Sequence, residues 1–182
     1  MATMTRVRLA DLEQQPESIR EWAARRGNLN VFRLLLNAPN VFPGWTRMLD
    51  ELYASPTFDT RLREAIVLRV AHLQGSEYEL AQHLPLGRAV GLTDQELDAL
   101  ATGEFAGFDR KERAALDVVD ELCTTRRLRP QSVAAARKIF GDEALTELLM
   151  LVSCYYGLAL VLNAADLDID GPARSTNEGQ RR

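Results

Sequence analysis

Cysteine is scarce in this chain. Its 182 residues hold two, Cys123 and Cys154, far apart in sequence. That placement suits neither a disulfide framework nor a metal-ligand cluster, and two reduced thiols in a cytoplasmic protein are the expectation. Histidine is equally sparse, with His72 and His83 alone and no HExxH arrangement, so no metal site is expected. A glycine-rich phosphate loop is missing, which removes the common nucleotide-binding signatures. Basic charge is not in excess: 22 Lys and Arg face 26 Asp and Glu, for a net charge of −4. Nucleic acid, which demands a concentrated basic surface, is therefore not an expected partner. The one dense basic run, Arg126-Arg127-Leu128-Arg129, suits a helix end, where cations complement the dipole. No stretch alternates apolar and polar residues with period two, so no sheet is expected. Met1 to Asp11 has no apolar run of the secretory kind.

Long hydrophobic runs are also few. Leu148 to Ala165 is the exception, an uncharged segment at the lower length limit of a membrane span. It contains Ser153, Tyr155, Tyr156, Gly157 and Asn163, and acidic residues flank it on both sides without basic anchors. It reads as a buried helix, covered by its own chain or by a second subunit, with no membrane involved.

What the sequence has is helix punctuation. Helices are expected over 16–26, 30–36, 43–54, 61–73, 76–90, 93–100, 110–125, 131–140 and 142–164. Gly27, Gly75 and Gly91 act as stops, and Asp59 or Thr60, Thr93, Asp109 and Asp142 as caps. Thr93-Asp94-Gln95-Glu96 has the form of a capping box. The helix after Arg61 is apolar nearly all round and belongs in the interior. The expected architecture is an all-α single-domain bundle over residues 1–170. A disordered polar tail is expected over 171–182.

The segment Glu64 to His83 reads EAIVLRVAHLQGSEYELAQH. Ser76, Glu79 and His83 are spaced three and then four apart, which puts a hydroxyl, a carboxylate and an imidazole on one helical face. A carboxylate beside an imidazole fixes its tautomer and raises its basicity, as a general base requires. Glu64, on the preceding apolar helix, needs a partner or a proton. Blander assignments share the same spacing. Glu79 and His83 also fit a solvated surface pair, Ser76 fits a helix cap, and Glu64 could pair with Arg61 or Arg69. His72 fits a helix end. Spacing alone does not choose between these.

Around that segment, REAIVLRVAHLQGSEYELAQHLPLGRAVGLTDQELDAL resembles the core of the carboxymuconolactone decarboxylase-like superfamily, which includes alkyl hydroperoxidase D-like proteins. The family pattern is a Glu, a Cys some twelve residues on, a second Cys or an acidic residue three later, and a His four after that. Glu64, Ser76, Glu79 and His83 occupy those places. The Gly91-Leu92-Thr93-Asp94 turn and the C-terminal helix with Tyr155-Tyr156 and Asn163 are similar too. The resemblance implies an alkyl hydroperoxidase D-like helical bundle assembled as a homo-oligomer, a trimer or hexamer, or else a dimer. Ser76 and Glu79 replace the redox cysteines, so dithiol peroxidase chemistry is not expected.

The function this implies is cofactor-independent acid/base chemistry on a small carbonyl, carboxylate or lactone compound: a decarboxylation, an isomerisation or a lyase step. His83 is the expected general acid/base, Glu79 its orienter, Glu64 a proton partner and Ser76 a substrate hydrogen-bond donor. Tyr155, Tyr156 and Trp45, with Phe32 and Phe42, are candidate pocket walls or ordinary core. A catalytically idle, oligomeric ligand-binding or scaffold protein is the alternative, and a peroxidase-like antioxidant the third.

Overall fold

The computed structural model describes residues 7–171, and all of the expected tail except Gly171 lies outside them. Among the described residues every regular element is helical. The helices are α1 Glu17–Ala24, α2 Asn30–Leu35, α3 Phe42–Ala54, α4 Thr60–Gln74, α5 Glu77–Ala89, α6 Asp94–Thr102, α7 Arg110–Thr125 and α8 Pro130–Ala165. Short 3-10 turns lie at Leu12–Gln14 and Phe105–Gly107. The all-α expectation holds.

The boundaries follow from local chemistry. Asp59 caps α4, its carboxylate accepting from the Leu62 amide at 2.8 Å, and Gly75 ends that helix in a left-handed conformation with φ 58°. The Thr93–Glu96 capping box forms as expected, and Asp109 with Glu112 makes a second. Arg61 pairs with both Glu96 and Glu112 and so joins the starts of α6 and α7. Helix α8 breaks at Gly141, where φ is 74° and ψ is 176°. The break falls where the sequence suggested two helices. Asp142, however, does not cap the second half with its side chain. Its carboxylate accepts from Arg137, at 2.9 Å on Nη2, and is held outward by that pair.

Helix α4 is the axis of the bundle. Residues 62–71 are buried without interruption, and α5, α6, α7 and α8 pack around them. A helix apolar on all sides is stable only when neighbours cover every face. Two charged residues inside that stretch are matched. Arg69 donates to both Asp120 oxygens, at 2.6 and 2.9 Å, and to the Leu100 carbonyl at 2.8 Å. That carbonyl belongs to the last turn of α6, whose orphan acceptors need a donor. Arg63 donates to the Tyr53 carbonyl at 3.1 Å and lies over the Tyr53 ring.

Gly103 makes the Arg69 arrangement possible. Its φ is 85°, and a Cβ there would approach Arg69 Nη2 to 2.8 Å. Gly103→Ala combines a left-handed strain with displacement of a buried guanidinium. It is expected to lower unfolding free energy by about 2 kcal/mol in urea denaturation. A change within about 0.5 kcal/mol would show that Arg69 has free room to move.

Helix α8 is long and apolar enough to cross a membrane by length and composition. Its inner face, with Leu148, Leu151, Val152, Tyr155, Ala159 and Leu162, is buried in the core. Its outer face is open, and Met150, Leu160 and Val161 are exposed. The chain's own residues thus cover one side of this helix, and the expectation of cover on all sides is not met within one subunit.

Candidate active site

Helices α4 and α5 form a hairpin about Gly75, which brings Glu64 opposite His83. His83 Nδ1 lies 2.7 Å from Glu64 Oε2, and both side chains are buried. With Glu64 ionised, its carboxylate accepts the Nδ1 proton. The tautomer is then fixed, and Nε2 carries the free lone pair. Tyr155 of α8 meets the imidazole edge to face, with ring centroids 5.4 Å apart. Its hydroxyl and that of Tyr53 on α3 lie 2.6 Å apart. Burial pushes the Tyr53 phenol up to about 12, with Glu64 nearby adding to the rise. Burial carries Tyr155 well above the usual phenol range. Both hydroxyls stay protonated at neutral pH; one donates to the other, which leaves one O–H of the pair free to donate elsewhere.

Glu79 sits one turn before His83 on α5, only 2 % exposed. Neither of its carboxyl oxygens has a hydrogen-bond partner among the described residues, and the Ser76 hydroxyl lacks one too. Burial pushes the Glu79 carboxyl up to about 7, against a smaller downward pull from the nearby Ser76 hydroxyl. A carboxyl so placed holds a proton close to neutral pH, the property of a proton donor or acceptor in catalysis.

These groups border a cavity of about 360 Å³ between α2, α3, α5 and α8. Its apolar walls include Phe32, Trp45, Leu49 and Leu158; Tyr53, Tyr78, Glu79, Gln82, His83 and Tyr155 add polar groups, and the Arg26–Asp50 pair lies on its border. Tyr78 is anchored rather than free: its hydroxyl donates to Asp170 and accepts from the Val31 amide at 3.1 Å. Asp170 also accepts from the Asn30 amide at 2.9 Å, so the segment after α8 straps α2 to α5 beside the cavity. Larger grooves run along α7 and α8 and between α3 and α8. Asp120, Glu121 and Arg129 in the first of them are committed to ion pairs. The buried titratable groups converge only on the smaller cavity.

Several sequence expectations change in detail. The side chain holding the imidazole is Glu64, not Glu79. An i, i+4 pair shares a face, but Glu64 reaches His83 from the facing helix at closer range. Ser76 is wholly enclosed and does not line the cavity, because it ends the tight turn from α4 and points into the packed base of α5. Tyr155 and Trp45 line the cavity, whereas Tyr156 is rotated about 100° around α8 and packs elsewhere. Phe42 packs edge-on against Trp22 in the core. Tyr53 and Tyr78 are not among the sequence expectations: Tyr53 reaches the site from α3 only through tertiary packing, whereas Tyr78 lies on α5 itself, next to Glu79. Among the described residues no group of three or more His, Cys, Asp or Glu is placed to hold a metal ion. Cys123 and Cys154 are free and buried, and burial pushes both thiols up to about 11.

The Carboxymuconolactone decarboxylase family matches residues 39–121, the span that contains Glu64, Glu79 and His83. An alkylhydroperoxidase AhpD core, peroxidase-related protein of Ralstonia eutropha JMP134 superposes with a TM-score of 0.81, covering 93% of this chain and 94% of that one at 18% identity. The family match over residues 39–121 and the shared fold support the carboxymuconolactone decarboxylase-like superfamily. A peroxidase-related protein of Silicibacter sp. TM1040 shares the fold with a TM-score of 0.80, at 17% identity over 92% of each chain. So does a variant of the debrominase Bmp8 in complex with 2,3,4-tribromopyrrole, with a TM-score of 0.74 and 18% identity over 94% of each chain. Curated proteins give no significant sequence match. In the present chain the buried Ser76 and Glu79 stand at the places where the resemblance puts redox cysteines, and Glu64 and His83 form a buried pair beside them.

Proposed function

We propose that this superfamily member is a cofactor-independent enzyme that moves protons on a small carbonyl or lactone compound, in an isomerisation, lyase or decarboxylation step. The observation that carries this reading is the buried His83–Glu64 pair, whose imidazole lines a largely apolar cavity. His83 Nε2 removes a proton from carbon next to the substrate carbonyl, and Glu64 stabilises the imidazolium that forms. The hydrogen-bonded Tyr155–Tyr53 phenol pair, held protonated, has one O–H available to a developing enolate oxygen. Glu79, with its proton shared near neutral pH, is the second acid/base group and returns a proton to the product. The debrominase of this fold gives support, since it shows the fold hosting chemistry on a small ring compound. A panel of lactones, enones and oxo-acids tests the reading. Turnover of at least one is expected to survive desalting and excess chelator. An activity that disappears with chelator contradicts it.

The enzyme is also proposed to work as a homo-oligomer in the cytoplasm. Thr146, Met150, Ser153, Gly157, Leu160 and Ala164 recur at alternating spacings of four and three along the outer face of α8, the pattern of a helix-packing seam. A Cβ on Gly157 would meet nothing within 4 Å, so its own subunit does not require glycine there. Such a residue costs a helix about 1 kcal/mol, which a close-packed partner helix offsets. Sedimentation is expected to show an oligomer that Leu160→Arg dissociates. A clean monomer at micromolar concentration contradicts this.

A further inference from the structure

The cavity of the proposed enzyme has a charge pattern that selects its ligand. Among the residues lining it, Arg26 is the one arginine or lysine. It is committed three times over: its guanidinium pairs with Asp50, donates to the Trp22 carbonyl at 3.3 Å and lies 4.1 Å from the centre of the Trp22 ring. His83, when protonated, is matched by Glu64 at 2.7 Å. No cationic side chain of the lining is left for a ligand carboxylate. Acceptors, by contrast, are in surplus. Both Glu79 oxygens are buried and unpartnered, and an unpaired buried carboxyl carries a desolvation cost that a donor relieves. An anion entering here meets a second carboxyl and no counter-charge. The remaining walls, with Phe32, Trp45, Tyr53 and Tyr155, present aromatic faces and edges. A volume of about 360 Å³ is at the small end of ligand cavities, which run from roughly 300 to 1,000 Å³.

We infer that the natural ligand is a small neutral ring compound carrying an O–H or N–H donor, which pairs with Glu79, and that free carboxylates are rejected. The inference rests on the proposed function for the site, and it narrows that function's substrates to uncharged members. Oxo-acids leave the list, and with them the decarboxylation, so that isomerisation or a lyase step remains; hydroxylated or N–H-bearing ring compounds head the list.

Binding of three matched probes tests this without any turnover. Phenol has the ring and the donor, anisole the ring without the donor, and benzoate the ring with a carboxylate. By isothermal titration at pH 7.5, wild type is expected to bind phenol at least tenfold more tightly than either of the others, in line with one hydrogen bond to a charged acceptor. In Glu79→Leu, which is close in size, the phenol-to-anisole ratio falls to about one. Glu79→Gln keeps shape and polarity while removing the charge. It is a second variant should the leucine fail to fold, and it narrows the handicap of benzoate about tenfold. Equal or tighter binding of benzoate by wild type overturns the inference. So does a phenol-to-anisole ratio near one in wild type, a ratio unchanged in both variants, or no binding of any probe. The same titrations on His83→Gln separate the two claims. A retained phenol preference beside unchanged turnover of an identified substrate removes the catalytic role of His83 and leaves the ligand assignment standing.

Discussion

His83→Ala is expected to lower turnover of an identified substrate by roughly 10²- to 10⁴-fold, with most of the loss in kcat. The magnitude is that of one positioned acid/base group. It is large because no other imidazole is near: His72 is at the far end of α4, where burial and Arg69 lower its proton affinity. Packing is a separate matter, since the ring contacts Tyr155 edge to face. His83→Gln, which fills more of the space, separates lost chemistry from lost packing by showing the same fall in kcat with a near-normal melting temperature. Glu64→Gln supplies the second half of the argument. It keeps the shape but can no longer balance an imidazolium, so kcat falls while KM changes little. A wild-type kcat in His83→Ala, or an effect of Glu64→Gln confined to KM, contradicts the assignment.

Glu79→Gln is expected to change how stability depends on pH. Glu79 has a folded-state carboxyl raised to about 7, against an ordinary value near 4.5 in the unfolded chain. At pH values between these limits, the folded protein holds a proton that the unfolded chain has released. Stability therefore falls as pH rises from about 4.5 to about 7, and the loss is complete above that range. The shift corresponds to a cost on the order of 3 kcal/mol at pH 8. The neutral amide carries no such penalty. Wild type and Glu79→Gln should therefore differ little near pH 4.5, and the variant should be the more stable at pH 8. Urea denaturation at the two pH values reads this directly. A variant less stable than wild type at pH 8 would mean that the ionised Glu79 has a partner in solution.

Much of the fold was legible because its helix ends are chemical. Thr93 with Glu96, Asp109, and the glycines at 75 and 91 mark termini that local hydrogen bonds decide, and α7 begins and ends where the sequence places it. The break at Gly141 was readable for the same reason, although the side chain of Asp142 went to Arg137 instead. The site was legible as a set of residues and not as a set of pairs. Spacing along α5 showed that Glu79 and His83 share a face, but the distance from α4 to α5 across the Gly75 turn decides which carboxylate reaches the imidazole. The same limit hid Tyr53, which reaches the cavity from α3 through packing that no local pattern records; Tyr78 is on α5 beside Glu79, and only its ties to Asp170 and Val31, distant in sequence, mark it. Tyr155 and Tyr156 are adjacent and chemically alike. Only the rotation of α8 in the core sends one ring to His83 and the other away.

In the proposed chemistry His83 moves protons between a bound carbonyl compound and solvent. Incorporation of deuterium from D₂O into the carbon next to the carbonyl, followed by NMR for a panel of small cyclic ketones and lactones, measures that act alone. Wild type is expected to label at least one of them well above the buffer rate, and His83→Ala to label it at the buffer rate. Labelling at the wild-type rate in His83→Ala, or buffer-level labelling of every panel member by wild type, would contradict it.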